Sequence, residues 1–255
     1  MADKAFTEDK ILGGALMLRQ PKRGHRVGHD AILLAAATPA KSGETAIDIG
    51  AGVGGAGLAL AVRVVGLRCT LIDVVAPLVA LAQHNIERNR LSDRVRAVAL
   101  DVAAPARAFT AAGLGPGAAQ RVLMNPPFND AARQNVSPDA RRRLAHAAPR
   151  ETLNIWARRA NSLLAPSGTL TLIWRADGLG DVLAALGRGF GGISVLPVYP
   201  RAGAAAIRIL VGATKGSRAP LTLLPGLTLN DEGGRPTADA EAVLRNAAAL
   251  PLVRS

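Results

Sequence analysis

Asn125-Pro126-Pro127-Phe128 follows the apolar run Arg121-Val122-Leu123-Met124. These residue types suit one chemistry well: methylation of a planar, conjugated nitrogen such as the exocyclic amine of a base. Such an amine is a poor nucleophile because its lone pair is delocalised into the ring. The Asn125 side-chain oxygen and the Pro126 carbonyl can each accept one of its N–H bonds. That aims the lone pair at an electrophile and stabilises the positive charge that grows as the new bond forms. Two successive prolines remove backbone donors and fix φ, so the acceptors are held in place beforehand. Phe128 then offers a flat face to the base, a contact worth about 1–3 kcal/mol. Without context, the same four residues also describe a proline-rich turn after a buried strand, with Phe128 simply packed.

Context comes from Asp48-Ile49-Gly50-Ala51-Gly52-Val53-Gly54, which follows the short strand candidate Thr45-Ala46-Ile47 and precedes a predicted helix, Ala56 to Val65. A strand, a glycine turn and a helix start let backbone approach a cofactor closely and present N–H groups to negative charge. Gly50, Gly52 and Gly55 also satisfy the dinucleotide pattern G-x-G-x-x-G. Asp48 ahead of the first glycine, and above all Asn125-Pro126-Pro127-Phe128 downstream, favour S-adenosylmethionine over a nicotinamide.

The elements that must position these groups read as a doubly wound sheet. Arg68 to Ile72 is a second strand closed by Asp73, about 20 residues past the glycine turn, where a carboxylate can accept from both ribose hydroxyls. Val95 to Leu100 is a third, ending at Asp101, which can accept from an adenine amino group. Gln120 to Met124 is the fourth and delivers Asn125. Acids close strands for turn chemistry as well. Their shared place at strand carboxyl ends is the stronger argument, since open α/β sheets bind ligands along that edge. The expected cofactor set is therefore Asp48, Gly50, Gly52, Gly54, Asp73, Asp101 and Asn125, and the catalytic set Asn125, Pro126 and Phe128.

Around this core, Gly28 to Thr38 reads as a leading helix, Ala76 to Asn89 and Glu151 to Leu164 as further helices, and Thr169 to Trp174 as a fifth strand. Leu179 to Leu186 is another helix. Ile193 to Val198 and Ile207 to Thr214 read as a closing hairpin. The fold class is α/β and Rossmann-like: a mostly parallel seven-stranded sheet with an antiparallel edge hairpin. Residues 1–40 form an N-terminal segment on the substrate side, 41–215 the cofactor domain, and 216–255 an extension packed on it.

Composition bounds the partners. A chain of 255 residues with 49% hydrophobic content buries a substantial core and is not disordered. One cysteine, Cys69, excludes a disulfide framework, and four scattered histidines leave no zinc spacing, so no metal is expected. Ile11 to Leu18 is too short to span a bilayer and no signal pattern precedes it, which makes the cytoplasm the expected location. The net charge of +12 points to a polyanion, although an arginine-to-lysine ratio of 26 to 5 also reflects GC-rich codon usage. Arg133, Arg141, Arg142, Arg143, Arg150, Arg158 and Arg159 follow the proposed site in sequence. Arg19, Lys22, Arg23, His25 and Arg26 precede the first helix. Both groups flank the site as phosphate contacts would, and both could equally be solvated surface.

Gly28-His29-Asp30-Ala31-Ile32-Leu33-Leu34-Ala35, the glycine turn, Asn125 to Phe128, Arg141 to Arg143 with Ala145-His146, and Lys215 to Leu221 together resemble the bacterial tRNA(Val) adenine-N6-methyltransferases. The resemblance covers most of the chain. It implies a class I S-adenosylmethionine-dependent methyltransferase acting on the adenine just 3′ of a tRNA anticodon, with Phe128 and Arg141 to Arg143 on the substrate side. His29 stands where relatives more often have a smaller or β-branched residue.

Other readings use the same residues. The tetrapeptide resembles that of ribosomal-RNA guanine-N2-methyltransferases, and a tyrosine-ending variant serves enzymes that methylate a glutamine amide in release factors. The guanine enzymes usually carry a duplicated domain. The glutamine enzymes carry a peptide-binding N-terminal domain, for which about 40 residues ahead of the first cofactor strand are too few. A non-catalytic RNA-binding factor on the same scaffold would tolerate decay at Asn125 or in the glycine turn, and both are intact.

Overall fold

The computed structural model describes residues 5–22, 26–127 and 138–252, with residues 138–149 described by their backbone. The chain opens with an antiparallel hairpin, β1 (Phe6–Ile11) and β2 (Leu16–Pro21). Helix α1 (His29–Ala37) leads into an alternation of β3 (Thr45–Ile49), α2 (Gly55–Arg63), β4 (Arg68–Asp73), α3 (Ala76–Arg88), β5 (Val95–Ala99) and α4 (Ala106–Ala111). The alternation continues with β6 (Ala119–Met124), α5 (Pro138–Leu163), β7 (Leu164–Arg175) and α6 (Leu179–Leu186). Strands β8 (Phe190–Arg201) and β9 (Arg208–Lys215) come next. Short strands β10 (Thr222–Leu223) and β11 (Leu227–Asn230) and helix α7 (Ala238–Asn246) follow.

The main sheet runs β10-β8-β9-β7-β6-β3-β4-β5, and β11 also pairs with β8. Strands β3 to β7 are mutually parallel, whereas β9 lies antiparallel between β7 and β8. This is the Rossmann-like α/β arrangement with its antiparallel hairpin. Nine strands stand where seven were expected, because the chain beyond Lys215 lays β10 and β11 parallel to β8.

Side chains sort by the strand period of two. Ile47, Ile49, Val122, Met124, Leu170 and Leu172 point to one face and meet Phe109, Leu153, Leu163 and Val182 of α4, α5 and α6. Ala46, Leu123 and Ile173 point to the other and meet Leu33, Leu34, Leu58 and Leu60 of α1 and α2, with Val243 of α7. Both faces are covered, so the parallel strands are continuous apolar runs rather than alternating ones. Cys69 is 2% exposed within this core, and burial, then the Asp48 charge, pushes its thiol well above the usual range. No helix among the described residues is long and apolar enough to cross a membrane.

Candidate active site

The parallel strands end together, and their register decides what stands side by side. Ile49 pairs with Ile72 on one side and Met124 on the other, and Asp73 pairs with Ala99. The residues that follow, Gly50, Asp73 and Asn125, therefore line one edge. The turn between β3 and α2 is tied to β4: Ala51 donates its N–H to the Ile72 carbonyl at 2.9 Å, and Gly52 donates to Asp73 Oδ2 at 2.8 Å. Asp73 Oδ1 accepts from Val75 N–H at 2.9 Å, so the carboxylate spans the turn and the start of the next connection.

Gly50, Gly52 and Gly54 adopt φ of +70°, +57° and +93°, a region other residues rarely occupy. The turn is packed on one side and open on the other. A Cβ at Gly50 would lie 2.2 Å from Trp156 Cη2, whereas a Cβ at Gly52 would meet nothing within 4 Å. Backbone at Gly52 thus faces free space beside Asp73, which is what a cofactor in close contact with main chain needs.

Asp48 works behind this surface. It is 2% exposed and Oδ2 accepts the Gly57 N–H, inside α2, at 2.8 Å. That bond ties the end of β3 to the first turns of α2. Burial pushes its carboxyl up to about 7, with the Gly57 hydrogen bond opposing and the Asp73 charge adding. Between the ordinary value of 3.8 and about 7 the folded chain holds a proton that the unfolded chain releases. Stability contributed by the protonated group is full below the lower value and is lost as pH rises through the upper one. The slope is at most about 1.4 kcal/mol per pH unit. Denaturant unfolding of Asp48→Asn and the parent between pH 5 and 8 should show the parent alone carrying that decline, flattening above about 7. Parallel profiles would refute it.

Asn125 leaves β6 half-buried, and its Oδ1 is buried without a hydrogen-bond donor among the described residues. A buried acceptor with no partner carries the desolvation cost of about 1–3 kcal/mol until a donor arrives. Pro126 is buried beside it. Asp101 is exposed past the end of β5, its Oδ1 accepting from Ala103 N–H at 2.8 Å. Phe128 lies outside the described residues, as do Arg23, His25 and Arg133 and the side chains of Arg141, Arg142 and Arg143.

Two arginines assigned to the downstream basic group are turned to other uses. Arg159 donates Nε to the Val102 carbonyl at 3.0 Å and Nη2 to the Ala104 carbonyl, with its guanidinium 3.8 Å from the Phe109 ring centroid. It fastens the loop after Asp101 to α5. Arg150 pairs with Asp181 at 2.8 Å. In the N-terminal group, Arg26 pairs with Asp9 at 2.8 Å and Arg19 stacks on Phe6 at 4.9 Å. The contact of Trp156 with Gly50 and the hold of Arg159 on the Asp101 loop escape sequence reasoning, since each joins positions far apart in the chain.

The arrangement fits S-adenosylmethionine. An open glycine backbone leads into α2, carboxylates Asp73 and Asp101 stand at neighbouring strand ends, and the Asn125 acceptor at the same edge is unmatched among the described residues. Among the described residues no cluster of His, Cys, Asp and Glu could hold a metal ion.

Comparison with known proteins agrees with this geometry. The methyltransferase small domain model matches residues 25–196. The chain is 30% identical to a predicted O-methyltransferase of Agrobacterium tumefaciens, over 87% of this chain and 98% of that one, with a TM-score of 0.73. It is 33% identical over 159 residues to the release factor glutamine methyltransferase of Chlorobaculum tepidum, covering 60% of this chain and 53% of that protein. The chain thus spans about half the length of that curated relative. TrmN of Thermus thermophilus, 19% identical with a TM-score of 0.52 over 72% of this chain and 47% of that one, shares the fold. A family match over most of the chain, on a sheet whose edge carries the glycine turn and Asn125, places this protein in the methyltransferase small domain family, with S-adenosylmethionine as its cofactor.

Proposed function

We propose that the protein methylates an exocyclic amino nitrogen of RNA, with adenine N6 near a tRNA anticodon as the target. The observation that carries this reading is the buried Oδ1 of Asn125 at the cofactor edge, unpartnered among the described residues. The bound cofactor supplies an electrophilic methyl group on a positively charged sulfur. Asn125 Oδ1 accepts one N–H of the amine and the Pro126 carbonyl the other, so the lone pair is turned out of conjugation toward that methyl. Both N–H bonds stay hydrogen-bonded to these oxygens while positive charge builds on nitrogen. The methyl–sulfur bond breaks as the methyl–nitrogen bond forms, the neutral thioether leaves, and the methylated nitrogen then releases one proton to water. Two acceptors match the two hydrogens of an amino group, whereas a hydroxyl would offer only one. The net charge of +12 supports a polyanionic substrate.

A second reading is favoured by the 33% identity to the release factor enzyme. A glutamine amide nitrogen is equally planar and conjugated, so the Asn125 arrangement serves it as well. Labelled methyl transfer to tRNA, ribosomal RNA and release factor, offered separately and followed by mass identification of the product, separates the two. N6-methyladenosine in tRNA is the expected product. N5-methylglutamine in release factor would replace the RNA reading, and N2-methylguanosine in ribosomal RNA would keep the chemistry and change the target.

Joint replacement of Arg141, Arg142 and Arg143 by alanine tests the RNA reading another way. If they neutralise phosphates, tRNA affinity should fall on the order of tenfold at low salt, and the salt slope should shrink by up to about two to three. Identical slopes for the two proteins would assign these arginines to ordinary surface.

A further inference from the structure

Helix α3 and its C-cap face the free edge of β2 with two asparagines four residues apart. Asn89 Oδ1 accepts the Met17 N–H at 2.9 Å, and its Nδ2 donates to the Met17 carbonyl at 2.7 Å. Asn85 does the same for Arg19, at 2.7 Å and 3.0 Å. Two residues of strand and four of helix both advance about 6–7 Å, so the two amides act in place of a third strand.

The pair is not equivalent. Asn85 is 0% exposed, and its remaining Nδ2 hydrogen goes to the Val53 carbonyl at 3.0 Å, inside the cofactor turn. The corresponding hydrogen of Asn89, the C-cap of α3, goes back to the helix, on the Asn85 carbonyl at 2.7 Å. Holding the Val53 carbonyl also sets the plane of the Val53–Gly54 peptide. That aims the Gly54 N–H, which donates to the Ala51 carbonyl at 2.8 Å and closes the turn. The hairpin reaches the turn by a second path as well. Gln20, 3% exposed, accepts the Val27 N–H at 2.8 Å, and a Cβ at Gly55 would lie 2.7 Å from Val27 Cγ2.

We propose that the N-terminal hairpin braces the cofactor turn and that Asn85 is the positioning residue through which it does so. The proposal rests on the cofactor occupying that turn and not on the identity of the methyl acceptor. A turn held in its binding shape before the cofactor arrives binds it without a reorganisation cost; a loosened turn is competent only part of the time and binds in proportion.

Titration calorimetry with S-adenosylhomocysteine on the full chain tests this with Asn85→Ala and Asn89→Ala. Both variants should lose thermal stability through the hairpin. Only Asn85→Ala should raise Kd, by at least about tenfold, with Asn89→Ala within about twofold of the parent. Equal shifts in the two variants, or an unchanged Kd in Asn85→Ala, would overturn the proposal. Failure of the parent itself to bind S-adenosylhomocysteine would instead overturn the cofactor assignment. If Asn85→Ala does not fold, amide exchange of the parent decides. S-adenosylhomocysteine should slow exchange of the Arg19 amide together with those of Gly52 to Gly54, and protection confined to the glycine turn would refute the coupling.

Discussion

Asn125→Ala should lower kcat by about 100-fold or more, the scale for losing one acceptor or donor used in the transition state. Cofactor affinity should stay within a few-fold of the parent. Asn125 Oδ1 is buried with no donor among the described residues, so removing it breaks no hydrogen bond seen in the fold. The loss should therefore appear in turnover and not in the unfolding midpoint. Asn125→Asp sharpens the test. A carboxylate still accepts an N–H but adds a charge that moves with pH, so partial activity rising with pH would support an acceptor role. Retained full activity in the alanine variant, measured by label transfer at saturating cofactor, would remove Asn125 from the mechanism.

Gly50→Ala should come close to abolishing cofactor binding and should destabilise the fold. The new Cβ would sit 2.2 Å from Trp156 Cη2 and 2.8 Å from Cζ3, well inside contact distance, at a φ of +70°. Left-handed backbone costs a residue with a Cβ about 1–2 kcal/mol, and overpacking adds about 1–3 kcal/mol. Trp156 is half-buried and belongs to the packed face of α5, so the ring cannot swing clear without opening that face. Trp156→Leu in the Gly50→Ala background should recover the steric share and leave the backbone share. A double-mutant cycle read by chemical denaturation and S-adenosylhomocysteine titration measures both. Simple additivity of the two substitutions would show that the ring and the turn do not interact.

Legibility in the sequence follows the range of the interaction concerned. The left-handed turn at Gly50 and Gly52 and the place of Asn125 just past β6 are readable because each is set by neighbours a few positions away. The parallel strands are readable because burial on both faces makes them plain apolar runs. The hairpin β1–β2 is not. Phe6-Thr7-Glu8-Asp9-Lys10-Ile11 looks like a polar terminus, and what makes it a strand is tertiary: Asp9 meets Arg26 and Gln20, and Arg19 and Met17 are held by Asn85 and Asn89. The start of α5 at Pro138, upstream of the expected Glu151, was hidden by its arginines. In sequence they stand out as a run of charge, although alanine and arginine are both strong helix formers. Helix α4, Ala106–Ala111, is too short for a periodic signal and depends on Phe109, 2% exposed beneath Arg159. Arg159 shows the limit of charge counting. It sits among basic neighbours in sequence, yet it serves two backbone carbonyls and one ring.

The short strands beyond Lys215 have a bearing on colloidal behaviour. Strand β8 is twelve residues long, and without cover it would present a row of unmatched N–H and C=O groups to any other copy of the chain. Strand β10 pairs with Ser194 and Val195, and β11 with Val198, Tyr199 and Arg201. The boundary that replaces β8 is itself discontinuous, two residues and then four, separated by Leu224-Pro225-Gly226. Proline cannot donate to a new partner, and so short a strand gives little length to template on. The segment thus exchanges one long adhesive border for a broken one, which offers another copy of the chain less to pair with.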